Sequence, residues 1–153
     1  MIQPNELRLG NYVQDRGGKV LKIDTFETTH NGEEYVLKVG QRMFVNGQEV
    51  HPLTEYSDYL RPIPLSDEWL AKFGFDDDGF WQYTLLNWGI KVVESLASKG
   101  SWIIYQGFLR QFQEIAEVQY IHQLQNLYFA LTGEELKLNE SNDTKRDFRT
   151  SAS

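Results

Sequence analysis

The chain of 153 residues has no cysteine. That excludes disulfides, thiolate metal sites and cysteine nucleophiles, and it fits a reducing compartment. Long apolar runs are missing as well. No stretch approaches the ~20 residues a helix needs to cross a bilayer. The opening MIQPNELRLG has neither the basic start nor the apolar run of a secretory signal. A soluble, intracellular protein is expected. Positive charge is also scarce: 15 Lys and Arg against 22 Asp and Glu leave a formal charge of −7. Broad binding to phosphate backbones depends on many basic side chains, so nucleic acid is disfavoured as a partner. A local basic pocket for one small anion is not.

Catalytic signatures are absent too. There is no GxxxxGKS/T loop, no GxGxxG, no HExxH and no GxSxG. His30, His51 and His122 lack a second histidine or a carboxylate at ligand spacing. Asp76-Asp77-Asp78-Gly79 resembles the start of a calcium loop, but Phe80, Trp81 and Tyr83 stand where later ligands would be. A solvated turn is the simpler reading. Ser95, Ser98 and Ser101 have no neighbouring histidine to activate them. The expectation is a protein that is not an enzyme, with no cofactor and no metal.

Aromatic residues are plentiful, with four Trp, eight Tyr and nine Phe. Most must fill a core, leaving some for an interface or a stacking pocket. The N-terminal third reads as β. Short alternating runs at 11–13, 20–27, 35–39, 43–45 and 48–50 are punctuated by Gly17-Gly18, Asn31-Gly32 and Asn46-Gly47. Asn-Gly is a strong hairpin signal, because both central residues of the turn need positive φ. An antiparallel β-meander follows, sized to curl into a small SH3-like barrel. Residues 55–61 read as a connector. Ser66 then caps a short helix over LSDEWLAKF, with Asp67 and Glu68 in its first turn and Gly74 at its end. A second β region runs over 80–86, 90–96 and 101–105. Residues 108–118 stay open between helical spacing and a last strand, with strand or loop preferred through Val118.

The closing helix runs from about Tyr120 to Gly133. Ile121, Leu124, Leu127, Tyr128 and Leu131 share one of its faces. The opposite face carries His122, Gln123, Gln125, Asn126 and Phe129, and Tyr120 to Thr132 contains no charged residue. Surface helices ordinarily carry Glu and Lys there. Two explanations remain open. The second sheet covers this face while the amides cap strand backbones, or the face lines a pocket or subunit interface where amides bind a ligand and Phe129 or Tyr128 stacks. Tyr105, Phe108 and Arg110 form a basic-plus-aromatic grouping suited to a nucleotide phosphate and base, and Trp102 is near. The fold class is α+β: a meander over 1–60, then an α+β part over 61–138 with a second antiparallel sheet packed on the long helix. A flexible polar tail occupies 139–153.

Three stretches, PNELRLGNYV (4–13), LRPIPLSDEWLAKFGF (60–75) and YIHQLQNLYFALTGEEL (120–136), together resemble a family of small proteins from phages, prophages and conjugative elements of Bacteroidetes. The resemblance brings no catalytic residues with it. It implies an accessory gene of a mobile element, expressed in the cytoplasm of a bacterial host. In that setting the residues suggest a binding protein, homo-oligomeric, that sequesters a small nucleotide second messenger against host defence. The candidate ligand-binding residues are His122, Gln125, Asn126, Phe129, Trp102, Tyr105 and Arg110. The alternative is a protein-interaction module that binds and inhibits a host protein.

Overall fold

The first turn shows how local chemistry builds this fold. The carboxylate of Asp15 accepts from the backbone N–H groups of Gly17 and Lys19, each at 2.9 Å. Gly18 takes φ +84, open to a residue without Cβ. The turn sets strand β1 (Tyr12–Gln14) antiparallel to β2 (Val20–Lys22). The computed structural model describes residues 2, 6–31, 34–40, 43–46, 48–50, 53–56, 60–79, 82–85 and 88–139. The tail assigned to 139–153 lies outside them from residue 140 on.

Two compact units divide the chain. One comprises Met1–Pro64 with Tyr120–Ala130, the other Leu65–Gln119 with Leu131–Ser153. In the first unit, β1 and β2 are followed by β3 (Thr25–Asn31), β4 (Glu34–Gly40), β5 (Met43–Val45), β6 (Gln48–Val50) and β7 (Leu53–Tyr56). They form three antiparallel sheets among the described residues, β1–β2, β3–β4–β7 and β5–β6. The run expected as one strand over 20–27 breaks at Ile23 and Asp24 and feeds two of these sheets. The connector read at 55–61 begins inside β7. Asn46 has φ +51 and separates the paired Val45 and Gln48, as an Asn-Gly hairpin turn requires. Asn31, by contrast, is drawn into β3 opposite Glu34, and Gly32 of the expected Asn31-Gly32 turn lies outside the described residues. Ile2, Leu7, Val13, Leu21, Ile23 and Leu60 form the core cluster of the unit.

The second unit holds helix α1 (Asp67–Lys72) and strands β8 (Asp76–Asp77), β9 (Gln82–Leu85), β10 (Ile90–Glu94), β11 (Trp102–Phe108) and β12 (Gln111–Val118). Ser66 caps α1 by accepting from the Trp69 N–H at 3.4 Å. The strands make one antiparallel sheet in the order β12-β11-β10-β9-β8. The alternation of side chains sends Tyr83, Ile90, Val92, Trp102, Ile104 and Val118 to one face, and all six are buried. Residues 111–118 are strand, which resolves the open reading of that segment. Asp76-Asp77, read as part of a turn, pairs with Thr84 and Tyr83 as a short edge strand.

Helix α2 (Ile121–Thr132) corrects one expectation. It was expected against the second sheet, but Tyr120–Ala130 clusters with the N-terminal unit. Its side-chain amides bond the segment between Glu6 and Tyr12. Within the second unit, the Trp102 indole N–H on the inner face of the sheet donates to the Leu65 carbonyl just before α1 at 3.1 Å.

Two glycines mark a close backbone approach. The Gly107 N–H donates to the Gly89 carbonyl at 3.0 Å. A Cβ on Gly89 would overlap the Gly107 carbonyl, and one on Gly107 would overlap the Gln111 carbonyl. Gly107→Ala is therefore expected to lower stability by about 2–3 kcal/mol in urea denaturation, through forced backbone displacement. Gly100, also at positive φ but facing open space, should lose only about 1 kcal/mol on the same change.

Candidate functional site

The uncharged face of α2 is a structural clamp. Gln125 is fully buried, and its side-chain amide acts like a strand backbone. Its carbonyl accepts from the Tyr12 N–H and its NH2 donates to the Gly10 carbonyl, both at 2.9 Å. Asn126 donates to the Glu6 carbonyl at 2.7 Å and accepts from the Asn11 side chain at 3.0 Å and Arg8 Nη1 at 3.3 Å. The Arg8 guanidinium lies over the Phe129 ring, 4.0 Å from its centroid. The buried Asn11 accepts from its neighbour, the Arg8 N–H, at 2.7 Å. The stretches LRLGNY and HQLQNLYF thus satisfy each other.

His122 is buried on the same helix and stacked with Tyr120 at a ring separation of 6.0 Å. Neither of its ring nitrogens has a hydrogen-bond partner among the described residues. Burial pushes its pKa below the ordinary 6.5, and the charge of Glu6 opposes that only in part.

The other candidates from the sequence lie in the second unit and are parted by strand parity. Trp102 and Tyr105 are an odd number of residues apart on β11, so they occupy opposite faces of the sheet. Trp102 is buried on the inner face, while Tyr105 stands half-buried on the outer face, paired with Lys91 and Glu114. Arg110 is at the β11–β12 turn with φ +98, exposed. Trp102 is thus on the other side of the sheet from Tyr105, a member of the expected grouping of Tyr105, Phe108 and Arg110.

A different site is assembled there. A groove of about 470 Å³ is lined by Asp67, Asp77, Tyr83, Glu94, Lys99 and Trp102. The register explains it: Asp77 pairs with Tyr83, Tyr83 with Val92, and Glu94 with Trp102, all on the face that buries the core. Where that face runs out from the apolar interior, its alternating positions carry acids. The α1 terminus adds Asp67, and the turn after β10 adds Lys99. Tyr83 and Trp102 meet edge-on with ring centroids 6.2 Å apart. The Tyr83 hydroxyl donates to the Asp67 carboxylate. Burial first, then Asp67 and the charges of Asp77 and Glu94, push its pKa up to about 12. The phenol is thus fixed as a neutral donor, and the groove presents three carboxylates against one ammonium. Among the described residues, no group of three or more His, Asp or Glu is placed to hold a metal ion. Sequence reading missed Asp67, Asp77, Tyr83 and Glu94, because only the strand register brings them together.

Two outcomes follow for the clamp. Gln125→Leu removes the partner that Gln125 gives to the half-buried Tyr12 N–H and Gly10 carbonyl, and should cost about 1–3 kcal/mol of stability in urea denaturation. His122 binds its proton less tightly folded than unfolded, so its contribution is present above pH 6.5 and is lost as pH falls below it. The stability difference between the wild type and His122→Phe should therefore change on acidification through that range and stay flat above it. No family model, curated protein or solved structure matches the chain, so the reading of its site rests on this geometry.

Proposed function

We propose that the chain is a small binding protein of a mobile genetic element, and that its acidic groove receives a lysine or arginine side chain of a host protein. One observation carries this reading: three carboxylates and a neutral phenol converge on one aromatic-floored groove. A cation placed there gains charge-assisted hydrogen bonds, while a phosphate meets like charge. The amides from which nucleotide recognition was expected already hold backbone. Sequestration of a nucleotide second messenger thus has less support than inhibition of a host protein, defence proteins included. In this reading the N-terminal unit, taken as an SH3-like meander braced by α2, is the scaffold.

The test titrates capped single residues, N-acetyl-arginine and N-acetyl-lysine methylamides, followed by tryptophan fluorescence. Arginine should bind more tightly than its neutral analogue citrulline, and Asp77→Asn with Glu94→Gln should weaken it about tenfold, as expected for two lost charge contacts. Equal binding of arginine and citrulline, or binding of cyclic nucleotides instead, would overturn the assignment.

A further inference from the structure

A second surface of the same unit is the sheet edge formed by β12, whose last residue, Val118, pairs with the groove-lining Trp102. Strand β12 ends the five-stranded sheet and, among the described residues, pairs only with β11. All of its residues but Ala116 and Val118 are exposed. Open edges are ordinarily blunted by Lys, Pro, shortness or a β-bulge, and of these β12 has only a register irregularity, at Ile115, between the paired Glu114 and Ala116. The opposite edge, β8, has two residues, both aspartates. β12 has eight residues and neither Lys nor Pro, and it exposes Phe112 and Ile115.

Its charges indicate what it accepts. The ladder shifts register at Ile104 and Tyr105, so that Glu114 pairs with Tyr105 and Glu117 with Ile103. Ile103 and Tyr105 share the outer face, and both carboxylates therefore stand on it. Two copies of β12 side by side would set acidic strands against each other, a like-charge pairing that disfavours a second copy. A strand carrying Lys or Arg at those positions finds complementary charge.

The end of the strand supplies an anchor. Leu109 and Arg110 alone link the paired Phe108 and Gln111. Their φ values of +58 and +98 are those of a type I′ turn, which favours Asn and Gly. Holding such residues there is strained. The strained turn raises Phe108 and Leu109 into solvent, at 68% and 93% exposure. Beside them is a cavity of about 130 Å³ lined by Leu85, Ile90, Gly107, Phe108, Leu109 and Phe112.

We infer that β12 receives an extended segment of a partner protein by strand addition, antiparallel to it. Basic side chains of that segment face Glu117 and Glu114, and a bulky apolar side chain beyond them fills the cavity at the turn. This docking does not require the groove.

The test uses the full chain and a short capped peptide alternating lysine with valine and ending in leucine, titrated by fluorescence anisotropy. The lysine peptide should bind about tenfold more tightly than its glutamate counterpart. E114K with E117K should reverse that preference. Methylating alternate peptide nitrogens, which keeps charge but removes the pairing N–H groups, should abolish binding. Lysine side chains also enter the groove in the function proposed above, so the titrations are repeated with D77N and E94Q in place, where the preference for lysine and its reversal by E114K with E117K should persist. Three results would overturn the inference: no peptide binding, equal binding of the methylated peptide, or a preference insensitive to E114K with E117K. Loss through D77N and E94Q would move the site to the groove instead.

Discussion

The N-terminal unit depends on a glutamine side chain that stands in for a missing strand. The fully buried Gln125 bonds the half-buried Tyr12 and Gly10 through both ends of its amide, where leaving a polar group unpaired costs about 1–3 kcal/mol. A neighbouring strand would have satisfied them in an ordinary sheet, but on that side β1 has an isolated bridge, from Gln14 to Arg61, among the described residues. The helix fills that place, and Asn126, Asn11 and Arg8 extend the polar seam around it. The half-buried Arg8 brings a positive charge to the seam from the N-terminal segment, and the helix meets it with the neutral Asn126 amide and the Phe129 ring.

In the second unit the organising constraint is period two. One face of the sheet buries Ile90, Val92, Ile104 and Val118, and the same face ends in Asp77, Tyr83 and Glu94. Apolar burial fixes the register, and register then sets the acids together. The cost of crowding three carboxylates falls partly on Tyr83, whose proton is held more tightly as a result.

How much of this could be read beforehand depended on whether the signal was local. The Asn46 turn, the Gly17-Gly18 turn and the Ser66 cap are chemistry within a few residues, and each stands where the sequence placed it. The α+β class followed from the order of such elements. The Leu109-Arg110 turn escaped because neither residue advertises positive φ, which left 108–118 open between two conformations. The lack of charge on α2 was legible, and so was the conclusion that something covers it. Its cover proved to be residues 6–12, because nothing in the spacing of Gln125 and Asn126 says which backbone they will meet. The acidic groove was invisible for a related reason. Asp67, Asp77 and Glu94 are far apart in the chain and ordinary in their local settings, and only pairing makes them neighbours.

The bare backbone contact of Gly89 and Gly107 has a consequence for how such a chain can change. Two positions without side chains, on different hairpins, lock the height at which the β11–β12 turn stands above the sheet. The two glycines thus tie the backbone of neighbouring hairpins together where a side chain on either would push them apart, so the tip can change its side chains only within what the positive φ values at 109 and 110 tolerate.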